Sequence, residues 1–316
     1  MQSNRKLRWL IFGAVLYLSF CIIGGIWMAD GTLHPPRRAV TEHEAGEFDE
    51  AVLSLNAQLR DVAIVARDGI KLQAWVVRPR QPNGDAVVLF HGLGDNRLGM
   101  TGYAELLLER GFTVLLPDAR AHGASGGNVA SFGILERCDI AQWVQFLRSD
   151  TKASCIFGIG ESMGAAQLLQ SVGAGAAFCS VIAESSFSNF REIAYDRMGQ
   201  PFHLGPWVGR TVLRPMVEAA FLRARWKYGL NMRSISPEDA VATTHLPVLL
   251  IHGQVDSNIP VRHSRRIHER NPDTTLWEVP GADHCGALKV APEHFQKLLV
   301  AWFSADSGLM KRVAVQ

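Results

Sequence analysis

The sequence contains few cysteines and shows almost no charge imbalance. Its five cysteines among 316 residues form no paired spacing, which excludes a disulfide-stapled mini-fold and a zinc ribbon. The 32 basic and 30 acidic residues leave a net charge of +2, so nothing indicates a nucleic-acid partner. No two histidines show helical metal-pair spacing beside a carboxylate, and we expect neither a metal ion nor a cofactor.

One long apolar run lies near the N-terminus. Residues Trp9–Met28 carry no charge, and at about 1.5 Å per residue they would cross a hydrocarbon core of about 30 Å. Arg5, Lys6 and Arg8 precede the run, which predicts a single-pass anchor with a cytoplasmic N-terminus and the folded body on the periplasmic or extracellular side. A cleaved signal peptide is the alternative, but a bulky residue stands three positions before Asp30, where processing needs a small one.

Composition divides the chain into a basic tail, a transmembrane anchor, a polar acidic tether, a folded body with one insert, and a C-terminal tail. In chain order these are 1–8, 9–28, 29–60, 61–304 with the insert at about 187–240, and 305–316.

Short β-branched runs alternate with amphipathic stretches of ten or more residues along the body. This alternation predicts the α/β class, as a doubly wound and mostly parallel sheet. Asp68-Gly69 between the first two runs indicates a hairpin. The predicted strands are 61–67, 70–78, 86–90, 113–117, 155–159, 180–183, 248–252 and 275–279. The predicted helices are 101–110, 135–148, 163 onward, 261–270 and 292–303.

The segment Gly160-Glu161-Ser162-Met163-Gly164 stands where a strand pattern changes into a helix pattern. Gly-x-Ser-x-Gly in that context is typical of a nucleophile elbow, in which a strained turn exposes the serine hydroxyl. The two glycines are needed because strand and helix must approach closely. An ordinary glycine-rich turn with an exposed serine is the alternative.

A serine nucleophile needs a histidine base and an acid that orients it, in the chain order Ser, acid, His. Asp256 and His284 each follow a predicted strand, and the carboxyl ends of parallel strands are where such sheets place their sites. Glu184, after another strand, is the alternative acid. Asp283 is expected to be a solvated loop carboxylate.

Two further loops follow predicted strands. His91-Gly92-Leu93-Gly94 is expected to supply the backbone N–H of Leu93, which with that of Met163 would form an oxyanion hole. The polar segment 118–127 is expected to be a hydrogen-bonded structural brace.

From about Asp61 to Phe303 the chain resembles the α/β-hydrolase superfamily. The matching motifs are His-Gly-Leu-Gly at 91–94, Asp-x-Arg-x-His-Gly-x-Ser at 118–125, the elbow at 160–164, Leu-Leu-Ile-His-Gly-x-x-Asp at 249–256 and Gly-x-x-His at 281–284. The chain looks most like the branch with monoacylglycerol lipases, serine aminopeptidase-like hydrolases and membrane-anchored bacterial esterases. The resemblance implies that Ser162, Asp256 and His284 are a catalytic triad. Cys285, directly after the histidine, is one departure from the family pattern, but that position is variable in such proteins and the triad assignment does not depend on it.

These features predict a membrane-anchored serine hydrolase that cleaves a small-molecule or lipid ester through an acyl-enzyme. The alternatives are an amide-cleaving peptidase with the same triad and an inactive binding protein. Between Phe187 and Ser234 the insert has eight basic and three acidic residues and is expected to be a cap. Its basic and aromatic residues suit a membrane headgroup interface, although its arginines pairing with carboxylates is an equal alternative. A Cys155–Cys179 bridge is expected only if the body lies outside the cytoplasm.

Overall fold

The central feature of the structure, a computed structural model that describes residues 2–303, is an eight-stranded sheet. The strands are β1 (Ala57–Val65), β2 (Lys71–Pro79), β3 (Ala86–Phe90), β4 (Thr113–Pro117), β5 (Ile156–Glu161), β6 (Val181–Glu184), β7 (Val248–Gly253) and β8 (Thr275–Val279). Their order across the sheet is β1-β2-β4-β3-β5-β6-β7-β8. The first three strands in this order pair antiparallel and the rest pair parallel.

Within residues 2–303 the α-helices include both predicted and unpredicted elements, and three short 3-10 turns accompany them. The helices are α1 (Gln2–Leu33), α2 (Glu42–Ser54), α3 (Thr101–Leu108), α4 (Glu136–Thr151), α5 (Met163–Gly173), α6 (Phe190–Gly199), α7 (Trp207–Arg210), α8 (Arg214–Tyr228), α9 (Pro237–Ala240), α10 (Arg262–Arg270), α11 (Ala287–Val290) and α12 (Pro292–Phe303). The 3-10 turns are Arg97–Met100, Gln200–Phe202 and Met232–Ser234.

Helices cover both faces of the sheet. Alternate residues of β3 point to opposite sides, so that Val87 and Leu89 join one core cluster and Val88 joins the other. Helices α2, α3 and α12 contribute to the first cluster, and α4, α5 and α10 to the second. The doubly wound, mostly parallel sheet predicted from the sequence is therefore confirmed, because buried strands need an apolar cover on each face.

The predicted hairpin is also present. β1 and β2 pair in register from Ala57↔Pro79 to Val65↔Lys71, and Gly69 in the connecting turn has a φ of +83°, which glycine adopts without steric cost.

The range 29–60, expected to be a polar tether, is largely helical. Helix α1 continues to Leu33, and α2 begins at a capping box in which Thr41 and Glu44 bond each other's backbone. Phe48 and Val52, four residues apart on α2, are buried in the core. The acidic residues lie on the exposed side of the helix, so the polar composition reflects an amphipathic helix rather than an unpacked segment. The tail predicted at 305–316 lies outside the described residues.

The described chain divides into two compact units. The larger unit contains residues 35–189 and those from 235 onward, with the sheet and both core clusters. The smaller unit contains residues up to His34 together with 190–234, and hence α1, α6, α7 and α8. We call residues 190–234 the cap.

Several basic residues of the cap form ion pairs within the smaller unit. Arg210 pairs with Glu192, Arg233 pairs with Glu218, and Arg223 pairs with Asp30 of α1 at 3.0 Å. The positive charge that the sequence shows in the insert is thus partly neutralised, because neighbouring carboxylates lie within contact distance.

Helix α1 is apolar enough to cross a membrane. Among the described residues, Asn4–Leu33 is the one segment with this length and composition, at a mean hydropathy of 2.2. Its side chains are exposed from Asn4 to Phe20, which leaves a long apolar surface without protein cover.

Candidate active site

The turn between β5 and α5 holds Ser162 in a strained conformation. Its φ of 53° and ψ of −113° cost a non-glycine residue on the order of 1–3 kcal/mol. A Cβ on Gly160 would lie 2.7 Å from backbone atoms of Gly164 and Ala165, and one on Gly164 would lie 2.3 Å from the carbonyl oxygen of Phe90. The two glycines therefore permit the close packing that their spacing predicts.

Ser162, His284 and Asp256 form one continuous chain of hydrogen bonds. Ser162 Oγ lies 2.9 Å from His284 Nε2, and His284 Nδ1 lies 2.8 Å from Asp256 Oδ2. Asp256 follows β7 and His284 follows β8, which are parallel neighbours. The structure thus brings together the three side chains that the sequence order selects, at the carboxyl ends of the strands.

The carboxylate of Asp256 is held by its own loop as well as by His284. Its Oδ1 accepts from the N–H groups of Asn258 and Ile259 at 2.9 and 2.7 Å. Burial alone would raise its pKa, but hydrogen bonds from His252 and His284 outweigh burial and hold the pKa of Asp256 well below its usual range. Asp256 is consequently ionised near neutral pH.

His252 is a contact of the site to which the sequence analysis assigned no role, although it lies within the motif at 249–256. Its Nε2 lies 3.3 Å from Asp256 Oδ2 and 2.7 Å from the carbonyl oxygen of Ile259, and its Nδ1 lies 2.7 Å from Ser264 Oγ. The ring is fully buried. The available signal was a histidine near the end of an otherwise apolar strand, four residues before the predicted acid. Its bonds keep the Asp256 loop folded against β7.

Glu184, the alternative acid, is not hydrogen-bonded to His284. Its carboxylate accepts from the N–H of Ala287 at 3.0 Å and from Tyr103 Oη at 2.8 Å. Tyr103 Oη also lies 2.5 Å from Glu161 Oε1, so the buried carboxyl of Glu184 and the half-buried carboxyl of Glu161, the residue before Ser162, share one phenol. The contact that would make Glu184 the orienting acid belongs to Asp256 instead.

The environment of this carboxyl pair favours protonation. Burial, and next the neighbouring charge of Glu184, raise the pKa of Glu161 to about 8. Burial also raises the pKa of Glu184, against hydrogen bonds from Ala287 and Tyr103 that lower it. The pair therefore retains a proton near neutral pH, because two adjacent buried carboxylates do not both ionise. The sequence offered no signal for this pairing, since Glu161 and Glu184 are far apart along the chain.

Asp283 is exposed, as expected, but it also connects two loops of the site. Its Oδ1 lies 2.8 Å from the backbone nitrogen of Ser257 and 2.8 Å from that of His284. The Asp256 loop and the His284 loop are thus tied to one carboxylate.

The two segments expected to form an oxyanion hole lie beside Ser162. A Cβ on Gly92 would be 3.6 Å from Ser162 Cβ, so the loop that contains Leu93 passes next to the elbow. Met163 is the first residue of α5, and first-turn N–H groups have no acceptor within their own helix. Free donors and the positive end of a helix dipole are what a developing oxyanion requires.

The polar loop 118–127 is extensively hydrogen-bonded, although Asp118 and Arg120 do not bond each other. Asp118 accepts from the Arg97 side chain at 2.7 Å and from its backbone N–H at 2.8 Å. Arg120 donates to Asp139 and Asp68 at 2.7 and 2.8 Å. These bonds fit the brace predicted for this loop, with partners on other elements.

Comparisons with known protein families and sequences show that this chain is similar to α/β hydrolases. A family model described as "Alpha/beta hydrolase family" matches residues 87–293. Protein YqkD of Bacillus subtilis is 33% identical over 208 residues, covering 64% of this chain and 65% of the relative, so the chain spans slightly less than two thirds of that relative. Protein YfhR of Escherichia coli K12 is 27% identical over 236 residues, covering 72% of this chain and 74% of the relative.

Solved structures with the same fold include hydrolases of two kinds. The Pyrococcus furiosus esterase Pf2001 aligns with a TM-score of 0.65 at 25% identity, covering 89% of this chain and 98% of the esterase. An acylaminoacyl peptidase of Pyrococcus horikoshii aligns with a TM-score of 0.58 at 18% identity, covering 79% of this chain and 42% of the peptidase. The second likeness concerns the fold alone.

Proposed function

Since the chain belongs to the alpha/beta hydrolase family, we propose that it is a serine hydrolase that cleaves carboxylic esters, with Ser162, His284 and Asp256 as its catalytic triad. The observation that carries this proposal is the continuous hydrogen-bonded chain, 2.9 Å from Ser162 Oγ to His284 Nε2 and 2.8 Å from His284 Nδ1 to Asp256. The strained, glycine-flanked position of Ser162 supports it further.

The reaction follows from this geometry. Ser162 Oγ attacks the ester carbonyl carbon while His284 Nε2 accepts the hydroxyl proton, and ionised Asp256 stabilises the resulting imidazolium. The tetrahedral intermediate collapses when the bond to the alcohol breaks, and His284 returns the proton to the alcohol oxygen. Water, activated by the same histidine, then hydrolyses the acyl-enzyme and restores the Ser162 hydroxyl.

The oxyanion formed at each step needs donors that are already oriented. The backbone N–H groups of Leu93 and Met163 are the proposed pair, because one lies on the loop that passes Ser162 and the other opens α5. Loss of one such donor typically costs about 10²–10³ in kcat. The reaction needs no metal ion or organic cofactor.

An ester substrate is favoured over an amide by the likeness to the Pyrococcus furiosus esterase, which is the more extensive of the two structural matches. The acylaminoacyl peptidase shares the fold and keeps amide cleavage as the second candidate. The two reactions use the same triad and differ in the leaving group, so substrate preference has to be measured.

A fluorophosphonate probe tests the enzyme class. The wild type should be labelled, and Ser162→Ala should not be. An unlabelled wild type would refute the proposal, and full-rate labelling of His284→Ala would refute the assignment of the base. p-Nitrophenyl esters of increasing chain length, assayed beside aminoacyl anilides, separate esterase from peptidase.

We propose that this hydrolase is anchored in a membrane by α1, with its N-terminus in the cytoplasm. The basic residues before the apolar run support that orientation, and so does the disulfide between Cys155 and Cys179, which precede β5 and β6. Disulfides persist in oxidising compartments outside the cytoplasm. A cleaved signal sequence would have the same apolar character. The mass of the mature protein distinguishes a retained anchor from a cleaved signal sequence.

A further inference from the structure

The second half of α1 is not a free membrane helix. Helix α1 is exposed on all sides from Asn4 to Phe20. From Cys21 onward one stripe is buried, with Cys21, Ala29 and Leu33 at most 5% exposed, while Ile23 and Trp27 stay exposed on the opposite side. The residues that cover this stripe belong to α8 of the cap, which lies in the same compact unit. The helix expected to serve only as an anchor therefore also forms part of the core of the cap unit.

Small residues let the two helices approach closely. A Cβ on Gly25 would lie 2.5 Å from the carbonyl oxygen of Met216, 2.7 Å from Ala219 Cβ and 2.9 Å from the nitrogen of Ala220. Gly13, in the first half of the same helix, would have nothing within 4 Å. Small residues at a helix crossing are the usual means by which helices pack in a membrane, where no hydrophobic effect drives association.

A polar cluster closes the contact at the end of the apolar run. The carboxylate of Asp30 accepts from Arg223 at 3.0 Å, from Tyr228 Oη at 2.7 Å and from Lys227 at 3.4 Å. At the other end Tyr17 Oη donates to the carbonyl oxygen of Val212. Residue numbers rise together along both helices, so α1 and α8 run parallel. Each contact along α8 can therefore be assigned a depth from the position of its partner on α1.

This order fixes how deep the cap lies if α1 spans a bilayer. Tyr17 is eleven residues before Met28, the last residue of the apolar run, and eleven residues at ~1.5 Å correspond to roughly 16 Å. Val212, bonded to Tyr17, therefore lies well below the membrane surface, whereas the Asp30 cluster lies at headgroup level. Arg210, near Val212 in sequence, is ion-paired with Glu192, which reduces the cost of a charge at depth.

The outer surface of the cap matches this placement. Its large apolar side chains are more than half exposed at four positions and half exposed at a fifth. They are Leu204 (51%), Trp207 (63%), Val212 (50%), Leu222 (61%) and Trp226 (83%). Large apolar side chains exposed to this extent are what contact with lipid would cover.

We propose that the cap is seated in the outer leaflet of the bilayer, docked on the second half of α1, with its exposed apolar side chains against lipid acyl chains. This inference rests on the proposed membrane anchoring, and it deepens the proposed function by naming a membrane lipid ester as the class of substrate, because a cap immersed in the leaflet is in direct contact with lipids. It also means that removing α1 would strip α8 of its packing partner.

Cysteine accessibility in liposomes tests the proposal on the full chain. Val212→Cys is compared with Leu53→Cys, which lies on the exposed face of α2 and reports the outward-facing fraction of protein. The rate of reaction with a membrane-impermeant maleimide is measured for each variant, and the rate of the wild type, which has free cysteines of its own, is subtracted. We expect Val212→Cys to react at least about tenfold more slowly, because water is absent from the hydrocarbon region. Equal rates would overturn the placement of the cap.

Docking on α1 is tested by Gly25→Leu with Gly13→Leu as its matched control, each combined with Val212→Cys. Gly25→Leu should raise the labelling rate several-fold because the new side chain displaces α8, and Gly13→Leu should leave it unchanged. Asp30→Asn provides a second perturbation at the opposite end of the contact, with the same direction expected. Protection that is unaffected by both Gly25→Leu and Asp30→Asn would overturn the docking.

Fluorophosphonate labelling of the same samples separates the two proposals. Retained labelling shows that the larger unit of a cap variant is folded, so that a change in maleimide reactivity concerns the cap. Absent labelling of the wild type would refute the hydrolase, while the maleimide result would still decide the position of the cap.

Discussion

Replacing Asp256 by asparagine tests the acid of the site most directly. Asp256 Oδ1 accepts the N–H groups of Asn258 and Ile259. In Asp256→Asn the amide oxygen must occupy that position, because two donors face it, and the NH₂ group then points at His284. It donates to Nδ1 of the ring, so the ring proton moves to Nε2, which faces Ser162 Oγ.

An imidazole with its proton on Nε2 cannot accept the serine proton. The equivalent substitution in a serine protease lowers kcat by about 10⁴ through the wrong tautomer, which corresponds to roughly 5.5 kcal/mol of barrier at ~1.36 kcal/mol per tenfold. We expect kcat on p-nitrophenyl acetate to fall by about four orders of magnitude. The thermal unfolding midpoint should fall modestly, since the amide keeps the two backbone bonds but loses the charge that His252 and His284 stabilise.

Glu184→Gln is the matched control, because Glu184 is the other buried carboxyl near the triad and has a raised pKa. A glutamine resembles the protonated acid, so we expect kcat to fall by less than about tenfold. The assignment would be refuted if Glu184→Gln lost as much activity as Asp256→Asn, or if Asp256→Asn kept more than about a tenth of the wild-type kcat.

Two further predictions concern stability. The Cys155–Cys179 bridge closes a segment with a sequence separation of 24, and loop-closure entropy assigns it about 3.4 kcal/mol of unfolding free energy. Urea denaturation of Cys155→Ala/Cys179→Ala should show a loss of this order, and Cys138→Ala, a free cysteine, should cost less than about 1 kcal/mol; similar losses would contradict a structural disulfide. Burial raises the pKa of Glu161 to about 8 from an ordinary 4.5, so the folded state binds more protons than the unfolded state between these values and loses stability as pH rises through that window. Glu161→Gln should remove that loss, so its stability relative to the wild type should increase from pH 5 to pH 8, and a difference independent of pH would show that the carboxyl is not protonated.

Much of the larger unit was predictable because its signals are local. The elbow glycines precede and follow Ser162 at the spacing that a tight strand-to-helix turn requires, and alternating apolar runs marked the strands of the sheet. Helix α2 was predicted as part of a polar tether, although its sequence carries local helix signals: Thr41 and Glu44 form a capping box, and Phe48 and Val52 are four residues apart. Its acidic composition obscured that pattern.

Other features depend on residues that are distant in sequence. Tyr103, Glu161 and Glu184 each look unremarkable alone and become a proton-sharing cluster only where β5, β6 and α3 meet. His252 reads as one more strand residue until its loop folds back and places Ile259 and Asp256 against its ring. No spacing rule reports such pairings, because the separation between the partners varies freely with the connecting loops.

The sequence by itself determined the fold class, the candidate nucleophile, the chain order of its candidate partners and the presence of an apolar helix, because each depends on periodicity or on short spacings that backbone geometry imposes. Only the tertiary structure decided that Asp256 rather than Glu184 bonds His284, that Cys155 and Cys179 are joined, and that the apolar helix packs against the cap. The physical reason is the same in each case: packing and hydrogen bonding select among chemically equivalent residues by distance in space, which the order of residues along the chain does not contain.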